Sequence, residues 1–274
     1  MAVKTLFGSG PPFKRLLANL LVFVAFLLVW DVGIRVTGVR PIVLPPPLDV
    51  AEALADGLVT RGVYWDHILV TVTETLAGFA IGALVGLLLG VLIAEIPLLK
   101  RIFYPYIIAF QTIPKVAVAP LFVIWFGFGL TSKIVIAATI SFFPIVINAV
   151  TGLAAADSSR VEMLRVFGAS RWAQFKLARF PSALPYIFAG LDIAIVLSVI
   201  GAIVAEFVGS QKGIGYLIMQ YNFSLNTAGV FALLLILSVI GVLLHWIVLE
   251  AQRKAIFWIA ETSPTTAPNK RGEG

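Results

Sequence analysis

The sequence predicts an all-α polytopic membrane protein with about six transmembrane helices. Three observations carry that prediction: a mean hydropathy of +1.01, charged residues held to 12% of the 274, and apolar runs longer than a soluble core uses. Crossing ~30 Å of hydrocarbon at about 1.5 Å per residue takes about 20 helical residues. A transmembrane barrel needs short alternating segments, whereas these runs are apolar on every face.

The elements follow in order. Lys14 and Arg15 precede a first span, Leu16 to Ile34, and no A-x-A-like cleavage site follows before Asp31. It therefore reads as a retained anchor behind a cytoplasmic N-terminus, residues 1–15. Asp31 and Arg35, four apart at its outer end, are expected to pair. Residues 37–67 form an extracytoplasmic loop, in which Pro45-Pro46-Pro47 is a stiff extended lead and Asp49 is placed to cap a short helix through Val50 and Leu54. The second span, Thr75 to Ala94, carries Gly78, Gly82, Gly86 and Gly90. Four glycines at intervals of four make a smooth stripe where a neighbouring backbone can approach closely, either within the chain or across a subunit interface.

The third span, Ile102 to Trp125, is interrupted by Lys115, which follows Pro114 and has Gln111 one turn earlier. The fourth, Ile134 to Ala156, is uncharged. The fifth, Leu184 to Val208, contains Asp192, without an evident partner, and Glu206 near its outer end. Gly213 to Leu249 is uncharged but longer than one span needs, so the sixth helix is expected in its later part, around His245. Ionisable and polar groups inside a membrane point to a pathway, which makes Gln111, Lys115 and Glu206 its candidates. Lys115 either compensates an anionic solute or snorkels and pairs with a carboxylate such as Glu206; Glu206 itself reads as a gate or helix-pairing residue. His67 and His245 have no second ligand at metal spacing, and cysteine is absent, so no metal site and no disulfide framework is expected. Residues 262–274, "TSPTTAPNKRGEG", read as a disordered cytoplasmic tail, leaving residues 16–261 as the transmembrane domain.

Placing both termini in the cytoplasm puts fourteen of the twenty Lys and Arg residues inside, in keeping with the positive-inside rule. The net charge of +6 then reflects topology and contact with membrane lipid, and no nucleic-acid partner is expected. Five of those bases fall in "RVEMLRVFGASRWAQFKLARFPSALP", residues 160–185. That segment cannot span, because five central bases would cost over about 12 kcal/mol on insertion scales. It reads as a cytoplasmic loop, 157–182, holding two short helices. Ser159 and Glu162 make a capping-box pattern and Gly168 suits the first helix's end; Ser170 can cap a second, which Pro181 is expected to stop. Val161, Leu164 and Phe167, then Trp172 and Phe175, form an apolar stripe beside the bases. Such a stripe suits either anionic headgroups or a groove on a partner protein.

Glu162-Met163-Leu164, then Gly168, then Pro181 keeps the register of E-A-A, three residues, G, nine residues, I-x-L-P. It resembles the EAA loop of ATP-binding-cassette importer permeases, with Met163 and Leu164 in place of the alanines, and Ala178 and Phe180 in place of the Ile and Leu. "LPPPLDVAEAL", "QTIPKVAVAPLFVIWFGFGLTSKIVIAA", "GASRWAQF", "LPYIFAGL" and "VAEFVGSQKGIGYLI" look in this order like the nitrate/sulfonate/taurine branch, over roughly residues 40–255. The resemblance implies a type I importer permease fold in a bacterial inner membrane, importing a small solute such as an oxyanion or organic sulfonate. It also implies two permease subunits, two cytoplasmic ATPases and an extracytoplasmic solute-binding protein; with no internal repeat to supply both halves in one chain, the second permease is expected to be another copy, a homodimer partner. Glu162, Leu164, Gly168, Arg171, Trp172 and Pro181 are the residues it assigns to ATPase coupling. "GFGLTSK", Gly127 to Lys133, has glycines and a lysine at the wrong spacing for a phosphate-cradling loop. The chain is therefore expected to be no enzyme and to hold no cofactor, ATP and Mg belonging to the partner ATPase. The competing expectation is a secondary transporter or channel working alone, which needs no docking element.

Overall fold

A computed structural model describes residues 12–258, and every regular element in them is helical. In chain order these are α1 (Pro12–Thr37), α2 (Pro47–Ala55), α3 (Tyr64–Glu95), α4 (Pro97–Thr112), α5 (Lys115–Phe126), α6 (Leu130–Ala154), α7 (Ser158–Val166), α8 (Arg171–Gln174), α9 (Phe180–Gly209), α10 (Ile214–Phe223) and α11 (Thr227–Ala255). Single π-turns follow α2, at Asp56–Thr60, and α8, at Phe175–Arg179. The N-terminal residues before Pro12 and the tail 262–274 lie outside the described residues. Among the described residues, five helical runs are long and apolar enough to cross a membrane, and α4 with α5 makes a sixth if that bent pair is one span.

The third span corrects the expectation of a continuous helix from Ile102 to Trp125. It is cut at Ile113-Pro114, where α4 and α5 diverge by 97°. Pro114 has no N–H to return to the helix, and its ring forces Ile113 into an extended conformation, φ −66° and ψ 128°. Asp49 is not the cap of α2. Pro46 holds that position with Pro47 as the first helical residue, and Asp49 lies in the first turn, where its charge meets the helix dipole.

The chain forms two compact units. One comprises residues through Thr73 together with Ile203–Ile240. In it α1 is exposed along most of its length, with Ile34 buried and Trp30 packed 5.9 Å from the Phe231 ring. Asp31 and Arg35 pair at 2.7 Å near its C-terminal end, and the Thr227 hydroxyl donates to the Ile42 carbonyl. The other comprises Glu74–Ala202 and the chain from Gly241. Its centre is α6, which buries Ile136, Ile145, Val146, Ala149 and Val150. The α3 glycine stripe lies against that helix. A methyl group built on Gly78 would fall 2.4 Å from the Ala137 Cβ, one on Gly82 2.3 Å from the Ser141 Oγ, one on Gly86 3.1 Å from the Phe142 carbonyl oxygen, and one on Gly90 2.7 Å from the Ala149 Cβ. The α3 stripe thus meets α6 with no side chain of its own at the contact, an approach that a methyl group would obstruct at Gly78, Gly82 and Gly90 and crowd at Gly86.

Candidate functional site

Three places gather the polar side chains of this apolar chain. The first is the basic loop. Asp157, not Ser159, caps α7: its carboxylate accepts from the Ser159 N–H at 2.9 Å. A carboxylate one residue ahead of the helix captures the first free N–H groups, so Ser159 enters the first turn and Glu162 stays exposed without closing a capping box. The far end is a Schellman turn. Gly168 has φ +77°, the Ala169 N–H bonds the Leu164 carbonyl and the Gly168 N–H bonds that of Arg165. Ser170 then caps α8 through the Ala173 N–H, and the buried Gln174 amide donates to the Ala169 carbonyl, tying the turn to the second helix.

Pro181 does not stop the second helix. The π-turn lets the Phe180 N–H bond the Phe175 carbonyl, and Pro181, which has no N–H to place, follows directly as the second residue of α9. The loop therefore runs as one helical rod into the span, Arg171–Gly209. Its apolar stripe divides between two faces. Six residues of α-helix rotate about 240°, so Val161 is buried at 7% exposure while Phe167 stands out at 81%. Leu164 is half-buried. Trp172 is 69% exposed and stacks on Phe175 at 5.5 Å. Met163, Val166, Phe167 and Trp172 make an exposed apolar crest on a loop that also exposes Arg160, Arg165, Arg171 and Lys176. Behind it, Arg179 reaches both oxygens of Glu95 at 3.1 and 3.2 Å, fastening the loop to the end of α3.

The second place is the α4–α5 elbow. Lys115 donates from Nζ to the Gln111 carbonyl at 2.9 Å and lies 4.7 Å from the centre of the Phe143 ring. The break leaves the last carbonyls of α4 without helical donors, and the ammonium takes one of them, a cation at a helix C-terminus. Gln111 thus contributes its backbone to Lys115, and its side chain is exposed.

The third is a polar knot around α10. Glu206, 1% exposed, accepts from the Thr71 hydroxyl at 2.6 Å and from the Gly215 N–H. Thr71 accepts in turn from the Ile214 N–H at 2.8 Å, and His67 Nδ1 from the Gly213 N–H at 3.1 Å. Three successive free N–H groups at the start of α10 are all met by side chains. Glu206 and Lys115, weighed above as a pair, each have these other partners. His67 Nδ1 lies within hydrogen-bond distance of both the Gly213 N–H, at 3.1 Å, and the Gly213 carbonyl, at 2.9 Å, and His245 contacts Asp192, which gives that carboxylate its partner.

Sequence reasoning missed three connections. Lys133 pairs with Glu74 at 2.7 Å, with side-chain exposures of 8% and 0%; starting the second span at Thr75 hid a carboxylate one residue earlier. Arg179–Glu95 and His245–Asp192 join residues 84 and 53 apart in sequence. A clue to the last was that each is a polar residue in a long apolar run.

Comparison with known proteins gives a consistent answer. Residues 86–254 match the family described as binding-protein-dependent transport system inner membrane component. The chain is 34% identical to the formylaminopyrimidine transport permease protein ThiX of Halalkalibacterium halodurans, covering 81% of this chain and 88% of that one. It is 35% identical to the riboflavin transport system permease protein RibX of Chloroflexus aurantiacus, over 85% and 87%, and 32% identical to the putative aliphatic sulfonates transport permease protein SsuC of Bacillus subtilis, over 88% and 87%. Among solved structures, the MetNI methionine ABC transporter in an inward-facing form superposes with a TM-score of 0.60, covering 73% of this chain and 97% of that one at 22% identity.

Proposed function

This chain belongs to the binding-protein-dependent inner-membrane transport components, and from that premise we propose how it does the work of an ATP-driven importer permease. It is the membrane subunit of such an importer; ATP hydrolysis resides on separate ATPase subunits, and a binding protein delivers the solute. The exposed apolar crest of α7 and α8, Phe167 and Trp172 foremost, is the surface the ATPase grips. Glu162, Leu164, Gly168, Arg171, Trp172 and Pro181 form or hold that handle. Because the handle continues through a π-turn into α9 and is fastened by Arg179 to α3, a displacement of the loop is delivered to two spans at once.

The remaining proposals rest on the same reading. Both termini are cytoplasmic, which places the loop and fourteen of the twenty bases on the ATPase side. Residues 16–261 form the permease domain, and 37–67 face the extracytoplasmic side. A second copy completes the pathway as a homodimer, in contact with membrane lipid. Gln111, Lys115 and Glu206 belong to the pathway: the elbow brings a cation to a break in the helix, and Glu206 anchors α10 at the outer end of α9. The cargo is a small oxyanion or organic sulfonate, supported by Lys115 and by the sulfonate relative. A heterocyclic cargo is the second reading, favoured by the names of ThiX and RibX.

The test is uptake into proteoliposomes containing this chain, its ATPase and its binding protein. Labelled taurine, an alkanesulfonate and a pyrimidine are offered with ATP inside. ATP-dependent sulfonate uptake supports the proposal; uptake of the pyrimidine alone supports the second reading. Accumulation without the ATPase overturns both.

A further inference from the structure

Beneath α7 lies a cavity of about 350 Å³ whose mostly polar lining includes the cationic side chains Lys100, Arg165 and Arg179, with Ala94, Leu153 and Val161 among its apolar members. We propose that this cavity is a binding site for a monoanionic phosphodiester, the phosphate of an anionic phospholipid headgroup. The inference rests on the cytoplasmic placement of the loop proposed above.

The charges select the ligand class. Arg179 shares its charge with Glu95, and Glu162 also lines the cavity. Three cations against two carboxylates leave one positive charge, which matches a phosphodiester and under-compensates a phosphate dianion. Neither Lys100 nor Arg165 forms an ion pair among the described residues. Arg165 is exposed and Lys100 half-buried, so each has N–H groups to offer. Basic pockets at the cytoplasmic ends of transmembrane helices suit headgroup phosphates for this reason.

Depth selects the source. Ala94, Leu153 and Ala154 bring the last turns of α3 and α6, which end at Glu95 and Ala154, into its lining, so the cavity opens where apolar spans give way to cytoplasm. Headgroup phosphates lie at that level, and the apolar side chains beside the cations accommodate a glycerol backbone, which free phosphate lacks. An occupant here wedges α7 against the ends of two spans, so that the ATPase pushes on a supported loop.

The experiment uses the complete transporter, permease with ATPase, in nanodiscs of phosphatidylcholine with or without phosphatidylglycerol. Lipid retained after detergent extraction is counted by native mass spectrometry. Phosphatidylglycerol is expected to be retained by the wild type and weakened about 5-fold by either Lys100→Gln or Arg165→Gln, about 30-fold by both. Lys100→Arg and Arg165→Lys are expected to keep it, which separates loss of charge from loss of fold. Equal retention in wild type and the double Gln variant overturns the proposal, as does displacement of the lipid by millimolar inorganic phosphate or a cross-link from Arg165→Cys to the ATPase in place of lipid. If wild-type ATP-driven uptake, measured in proteoliposomes of the same lipids with the binding protein added, persists with no lipid retained in the nanodiscs, the headgroup site falls and the importer reading stands; if neither wild type nor any variant transports in any lipid, that reading fails independently.

Discussion

Replacing Lys133 by methionine removes the cation from a pair whose two side chains are 8% and 0% exposed and whose atoms are 2.7 Å apart. Burial makes this pair unlike those on the surface. Two desolvated charges offset each other, but a carboxylate left in the same place without its cation costs about 3–5 kcal/mol. For a chain of this length, where 1 kcal/mol moves the midpoint by roughly 2–4 °C, the thermal midpoint in detergent is expected to fall by about 6–20 °C. The double variant Glu74→Leu with Lys133→Met removes both charges at similar volume and is expected to recover most of that loss. Fluorescence-detected thermal unfolding of the purified chain measures both. A single variant as stable as wild type, or a double variant no better than the single, would refute the claim that the pair is desolvated and mutually dependent.

Three further outcomes are expected. Gly168→Val meets nothing within 4 Å but must adopt φ +77°, a strain of about 1–2 kcal/mol confined to the Schellman turn; ATP hydrolysis by the complex should continue while uptake falls and membrane insertion stays intact. Gly82→Ala places a methyl 2.3 Å from the Ser141 Oγ and 2.8 Å from the Ala138 carbonyl, costing about 1–3 kcal/mol; Gly86→Ala, whose nearest neighbour is at 3.1 Å, should lower the thermal midpoint by less. Glu206→Ala strips the Gly215 N–H and the Thr71 hydroxyl of their acceptor, at about 1–3 kcal/mol each; amide exchange at the start of α10 should quicken by about 10-fold or more while that of α6 stays slow.

Long apolar runs made the spans legible, because composition alone decides whether a helix can lie in hydrocarbon. Proline was less legible. Pro105, Pro120, Pro144 and Pro185 lie inside helices, Pro181 rides over a π-turn, and Pro114 makes the 97° break. What separates them is whether neighbouring backbone can rearrange to meet the freed carbonyl, and no short window of sequence carries that. At the loop, Gly168 and Ser170 were readable because a left-handed turn and a cap are local events. Asp157 displaced Ser159 because cap-competent residues two apart compete and the winner depends on where α6 lets the chain go. The ion pairs Lys133–Glu74, Arg179–Glu95 and His245–Asp192 depend on which helices become neighbours, so one sequence shows the charged residues without showing their partners.

The central claim is that α7 and α8 form a handle held by a separate ATPase. The chain contains no cysteine, so Phe167→Cys, at an 81% exposed position, supplies a single thiol for a short bifunctional cross-linker in the assembled transporter. The account predicts one dominant cross-link, to the ATPase, whose yield changes when ATP is added. A thiol that stays open to soluble reagents in the full complex, or that cross-links only to lipid, would contradict it.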